Sequence, residues 1–230
     1  MSGIKKKELG IGAFLLVTFI AVMIVIFMPI FGGGNALDYL DNLYNSISKG
    51  SAYYIPKVEH LVEEHGSAEV TLNVNMADSG AARAAEALFV RAGATTAIEG
   101  DTLMVSGDLA AIFAACLEDA ESAYHNRGED LVARYGVEAR ATLHNWWQAL
   151  GAMEKDLNRQ KLFAAANLTH SVQAKTVECA YNYYGIEAQQ IKDRWGTVLF
   201  SLVFYVLYTV WYGYGIMYLF EGMGFELSAH

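Results

Sequence analysis

Glu59, His60, Glu63, Glu64 and His65 form the densest group of side chains that could bind a metal or move a proton. Their spacing argues against both roles. On a helix, Glu59 and Glu63 share one face and His60 and Glu64 another, but His60 and His65 lie about 140° apart. A helix that holds zinc through two histidines places them four residues apart on one face. The group is therefore expected to be a solvated acidic helix face. His125, His144 and His170 are scattered. There is no G-x-S-x-G, no phosphate-binding loop and no G-x-G-x-x-G after a strand; Gly222-Met223-Gly224 follows an apolar run instead. Cys116 and Cys179 belong to no C-x-x-C or C-x-x-C-H motif, and read as small buried apolar groups rather than a disulfide. No catalytic residue, metal site or cofactor is expected.

Residues 95–130 hold eight acids and one base, Arg127. Such a stretch could dock a basic partner or bind cations loosely. It lacks the D-x-D-x-D-G spacing of a calcium loop, and solubility is the simpler account. The whole formal charge of −9 resides in residues 35–195, which carry 13 Lys/Arg against 22 Asp/Glu. That balance excludes the basic face a nucleic-acid binder needs.

The tyrosines are more informative. Of the 14, only Tyr124 and Tyr135 fall well inside the polar middle of the chain. The others gather where two apolar runs begin, end or pass. Trp195, Trp211, Tyr214 and Tyr218 suit a membrane boundary, where a ring sits in lipid and its polar atom stays wet. Tyr205 and Tyr208 fall mid-run and need another account. Together with Thr197, they make a stripe at helical spacing with Ser201, Tyr212 and Gly215. Hydroxyls at bilayer depth prefer protein to lipid. Ser201, Tyr205, Tyr208, Tyr212 and Gly215 are therefore expected to pack on helices of another subunit or another copy. The alternative is a contact with the first apolar run of the same chain.

The elements that position this stripe are two uncharged runs. Residues 11–31 and 197–220 are each long enough to cross a hydrocarbon core of about 30 Å at about 1.5 Å per residue. The rival readings are a cleaved signal peptide for the first and a buried core helix for the second. The first run is too long for a signal core and no small-residue cleavage site follows it. Neither run contains a histidine, so a haem held within these spans is not expected. Lys5, Lys6 and Lys7 place the N-terminus in the cytoplasm. Lys192 and Arg194 pull the other way, but a long domain crosses largely regardless of charge.

Between the runs, residues 35–66 read as two short juxtamembrane helices, the second starting at Pro56 and closed by Gly66. Residues 67–127 read as a small α+β subdomain. Residues 69–76 alternate apolar and polar side chains, 95–99 and 102–106 form a strand pair about Gly100-Asp101, and Asp78 or Ser79 and Asp108 cap two helices. Residues 129–195 carry no strand signal. Leu143, Trp146, Leu150, Met153 and Leu157 recur at alternating steps of three and four, as in a coiled-coil seam. Residues 158–166 could turn this region into a helical hairpin, although a single long helix remains open. Residues 1–10 and 221–230 are short tails.

The expected fold class is an α+β membrane protein. Two transmembrane helices, N- and C-terminal, flank a soluble domain with a small three-stranded α/β layer and a helical hairpin. The expected function is a non-catalytic accessory or scaffold subunit of a bacterial inner-membrane complex, with both termini cytoplasmic and the domain extracytoplasmic. Its partners would be the lipid bilayer and other membrane subunits or further copies, and no nucleic acid. The alternative is a membrane-anchored ligand-binding or sensor module signalling through a partner's helices. An enzyme built from scattered residues is the least favoured reading.

Overall fold

The computed structural model describes residues 4–65 and 67–225. It is mostly helical, with one small antiparallel sheet. Gly66, expected to close a helix, lies outside the described residues, as do the outer ends of both tails. The chain divides into a terminal unit, Met1–Gly50 with Ala188–His230, and a central unit, Ser51–Glu187.

In the terminal unit, α1 (Lys6–Phe27) and α10 (Ile191–Gly222) are, among the described residues, the two helices long and apolar enough to cross a membrane. α1 ends four residues before the expected Phe31. Pro29 excludes the helical conformation from the residue before it, so Met28 is extended (φ −71°, ψ 141°) and the helix stops at Phe27. Residues 31–34 then form a tight turn, with the Phe31 N–H donating to Gly34 O at 3.0 Å. Asn35 caps α2 (Ala36–Ser51): its side chain accepts from the N–H groups of Leu37 and Asp38, and Asp38 accepts in return from the Asn35 N–H. α10 begins six residues before the expected start and includes Lys192, Asp193 and Arg194 in its first turn.

In the central unit, α3 (Ile55–His65) leads into β1 (Glu69–Asn75), α4 (Ser79–Arg91), β2 (Thr95–Glu99), β3 (Thr102–Asp108) and α5 (Leu109–Tyr124). The sheet order is β1-β3-β2, and both neighbours run antiparallel to β3. The layer is therefore an antiparallel sheet in which β3 inserts between the two strands that α4 connects. Asp78 caps α4 and Asp108 caps α5, each accepting from N–H groups of the first turn. One sheet face, Val70, Leu72, Val74, Leu103 and Val105, is buried under the helices; Thr71, Asn73 and Met104 lie on the other.

The rest is α6 (Gly128–Tyr135), α7 (Ala139–Arg159), α8 (Phe163–Val172), a π-helical turn (Gln173–Val177) and α9 (Glu178–Tyr183). α7 does not continue into α8. Lys161 adopts φ +63°, and Leu162 N–H and Lys161 N–H bond back to Leu157 O and Asn158 O. That is a helix stop that glycine usually provides, made here by lysine. Leu143, Trp146, Leu150, Met153 and Leu157 are all fully buried. Their face meets α8, and also β1, α4, α5 and α6, so the seam is part of a larger core rather than a two-helix coiled coil.

Candidate functional site

The lower part of the helix pair is held by glycine. A Cβ on Gly12 would stand 2.5 Å from Leu219 N, and one on Gly222 would stand 2.6 Å from Leu9 Cα. One on Gly215 would meet Leu16 Cδ2 at 2.9 Å. The backbones approach so closely that no larger residue fits. The pairs Leu9–Gly222, Gly12–Leu219 and Leu16–Gly215 step in opposite directions, so the helices are antiparallel. Lys5 Nζ reaches Glu221 Oε1 at 2.9 Å beside the same end.

Further along, Phe19 stacks on Tyr208 at 4.3 Å between ring centroids and lies 5.1 Å from Tyr212. Trp211 Nε1 donates to Leu15 O at 3.1 Å. Beyond the end of α1, the partner changes. Ser201 Oγ sits 2.6 Å from Tyr44 Oη of α2. Thus the stripe read from sequence is shared between two faces. Ser201, Tyr208 and Gly215 turn towards helices of the same chain, and Tyr212 straddles the boundary. Tyr205 points away: it is 69% exposed, and its hydroxyl has no partner among the described residues. Thr209, beside it, returns its hydroxyl to Tyr205 O at 2.8 Å. Sequence reasoning missed Gly12 and Gly222. The signal was present, since Ser201, Tyr208, Gly215 and Gly222 recur every seven residues, the period of an antiparallel seam.

The central unit buries two carboxylates. Asp119 of α5 is wholly inaccessible. It accepts from Arg134 Nη1 (2.7 Å), Tyr135 Oη (2.6 Å) and Trp146 Nε1 (2.8 Å), tying α5 to α6 and α7. Burial, then Asp119 itself, raises the Tyr135 hydroxyl well above its ordinary pKa. Asp156 of α7 accepts from the backbone N–H of Asn73 at 3.0 Å, from Gln160 Nε2 at 2.8 Å and from Arg159. Burial alone would raise this carboxyl; the Arg159, Asn73 and Gln160 hydrogen bonds outweigh it and hold its pKa low. Gln160 Nε2 also bonds Thr71 O at 2.9 Å, so the end of α7 covers the open edge of β1.

The acidic stretch is partly neutralised from outside itself. Arg91 and Arg134 both reach Glu118, and Arg134 also pairs with Asp119. Glu121 accepts from Tyr53 Oη at 2.6 Å and lies 3.0 Å from His125. Among the described residues no three His, Cys, Asp or Glu side chains are grouped to hold a metal. Cys116 and Cys179 are both buried. Burial, then the charge of Asp119, pushes the Cys116 thiol up, away from the reactive thiolate.

One cleft, of about 310 Å³, opens beside the π-helical turn between Leu143, His144, Trp147, Val177, Glu178 and Tyr181. Trp147 Nε1 donates to Glu178 Oε1 at 2.8 Å, and the His144 ring stacks on Trp147. Arg140 lies over the Tyr181 ring at 5.5 Å. An extra residue in a helix often marks a ligand-binding site. Here the bulge places Gln173 so that its amide donates to Trp147 O at 2.7 Å. No nucleophile–base pair is assembled in the cleft. No protein-family model, curated protein or solved structure matches this chain.

Proposed function

We propose that this chain is a non-catalytic, two-helix subunit that scaffolds an assembly of membrane proteins and displays its central unit on one side of the bilayer. The observation that carries the reading is Tyr205. Helix α10 satisfies its inner face within the chain, yet presents on the outer face, inside its uncharged run, a tyrosine whose hydroxyl has no partner among the described residues. A hydroxyl in lipid is stabilised by a protein partner. The surrounding surface supports a membrane setting. Phe14, Val17, Phe200 and Leu207 are all more than 60% exposed, which a core helix would not tolerate. The antiparallel pair brings Lys5 and Glu221 to one end, and the lysines there favour the cytoplasm, with the central unit outside. Extraction in a gentle detergent followed by native mass measurement tests the proposal. A defined multimer or a co-purifying membrane protein is expected; a bare monomer throughout would defeat it.

The cleft beside the π-helical turn favours a second reading, a membrane-anchored ligand-binding or sensor module. On that reading, substitutions at Trp147 and Glu178 would alter the response, while assembly through Tyr205 would stay unchanged.

A further inference from the structure

Counting along the helix pair sets the relative depth of residues in α1 and α10. Leu9 lies level with Gly222, and Gly12 with Leu219. Carried on at the same register, Phe27 lies level with Phe204. α1 therefore ends while α10 still has an uncharged stretch, Trp195 to Val203, of nine residues, about 13 Å at about 1.5 Å per residue. Among the described residues no second long apolar helix covers that stretch. α2 meets it instead, through Tyr44 Oη and Ser201 Oγ at 2.6 Å. Just before α10 begins, Gln189 N–H donates to Ser46 O at 3.0 Å. Ser201 is three residues from Phe204, or about 4.5 Å, so Tyr44 stands close to the depth at which α1 stops.

The segment that leads into α2 is unsuited to water. Phe27, Met28, Ile30 and Phe31 are all exposed, and the chain from Leu9 to Leu37 carries no charge. Leu37, exposed, continues this surface onto α2. Leu37, Leu40, Tyr44 and Ile47 share one face of that helix, with the exposed Asp41 at its edge one turn from Leu37, and Asp38, Asn42 and Asn45 lie towards the opposite side. A helix with this division lies in the plane of a bilayer boundary, apolar side down. Tyrosine is the residue that favours this depth.

Resting on the membrane reading above, we infer that α2 is an interfacial helix. It lies in the lipid–water boundary, with the Leu37–Leu40–Tyr44 face in lipid. It fills the outer-leaflet space that the early end of α1 leaves beside α10. The partner of this surface is the bilayer itself.

Nitroxide labels on the full chain, in phosphatidylcholine–phosphatidylglycerol vesicles, test the assignment. Single cysteines are introduced at Leu37→Cys, Leu40→Cys, Asn42→Cys and Asn45→Cys, with Cys116 and Cys179 replaced by alanine. Because both native thiols are buried, the same four sites are also labelled in the unaltered background, with the parent chain as blank. Oxygen concentrates in lipid and a nickel chelate in water. The logarithm of their collision ratio should favour oxygen at positions 37 and 40, and change sign at 42 and 45. Nickel-favoured values at all four sites, with oxygen-favoured values at Phe14→Cys and Val206→Cys, would overturn the interfacial helix and leave the membrane reading standing. Nickel-favoured values at Phe14→Cys and Val206→Cys as well would remove both.

Discussion

At Gly222 the backbone of Leu9 comes so near that a Cβ could not be added, whereas α5 and α7 of the central unit are held apart and bridged by Trp146 and Asp119. The two regions handle polar atoms just as differently. In the helix pair, Thr18 and Thr209 bond the carbonyl one turn back, and one hydroxyl pair links Ser201 to Tyr44. In the central unit, a carboxylate with no exposed surface collects three donors from two other helices. On the proposed membrane reading, the contrast follows from the solvent each region is built for. Where water surrounds a domain, burying apolar area drives assembly, and a charge can be enclosed if its partners are complete. Between helices in lipid that drive is missing, so contact depends on small residues and close dispersion packing.

Breaking the carboxylate hub should give the largest effect. Asp119→Ala leaves the Tyr135 hydroxyl and Trp146 indole N–H without their acceptor and Arg134 with Glu118 alone, and is expected to cost the central unit about 3–5 kcal/mol. Chemical denaturation followed by Trp fluorescence checks this; an unchanged midpoint would show that the hub is not integral to the core. Helix-pair helicity in detergent should persist in the same variant. Gly222→Leu probes the other region. Its side chain would collide with Leu9 backbone, forcing the helices apart at a cost of about 1–3 kcal/mol. The expected readout is lost cross-linking between cysteines placed at Leu9 and Gly222 neighbours, with the central unit's denaturation midpoint unmoved.

Much of the central unit is legible in its sequence, because local rules and tertiary packing agree there. The strict alternation at 69–75, the caps Asp78 and Asp108, and the three-and-four spacing from Leu143 to Leu157 each specify an element and its buried face. The α7–α8 stop is less legible, since Lys161 takes the left-handed conformation that glycine usually signals. Asp119 is silent in sequence. It sits among acids that look solvated, and only the fold brings Arg134, Tyr135 and Trp146 to it. The stripe on α10 is half legible: helical spacing groups Ser201, Tyr205, Tyr208, Tyr212 and Gly215, but cannot tell which edge faces α1. The crossing register decides that, and it depends on Gly12 and Gly222 together.

A pH series sharpens the comparison, because Asp156 titrates in the central unit while the helix pair has no carboxylate in its seam above Glu221. The pKa of Asp156 is held below its unfolded value of about 3.9. Its contribution is therefore fully present above about pH 4, and is lost as the pH falls through the lower, folded value. Asp156→Asn should flatten this acid limb, with less change in stability below about pH 4 than the parent chain shows. Equal acid slopes for the two chains would mean that Arg159, Gln160 and the Asn73 N–H do not bias the charged form. Tyr124 sets the opposite limb. Burial, then neighbouring Cys179, Tyr183 and Glu121, pushes its hydroxyl up to about 12, so stability is full below about pH 10 and falls as the pH rises towards the folded value.

The smallest expected effect lies at Tyr205, and it bears most directly on function. Tyr205→Phe keeps the ring, its exposure and the Thr209 bond to the backbone, and deletes only the outward hydroxyl. A hydrogen bond between membrane helices averages about 0.6 kcal/mol, so the variant should weaken assembly by roughly threefold. Tyr208→Phe is the matched comparison. Its ring stacks on Phe19 within the chain, and ring stacking does not need the hydroxyl, so assembly should not change. Forster transfer between labelled copies, or recovery of a co-purified partner across a dilution series, reads both variants on one scale. Equal effects would mean that the inner and outer faces of α10 are not distinct. An effect at Tyr208 alone would move the partner surface to the α1 side of the helix. Loss confined to Tyr205 would place the partner on the face that α1 leaves open, where Val206 and Leu202 are also exposed.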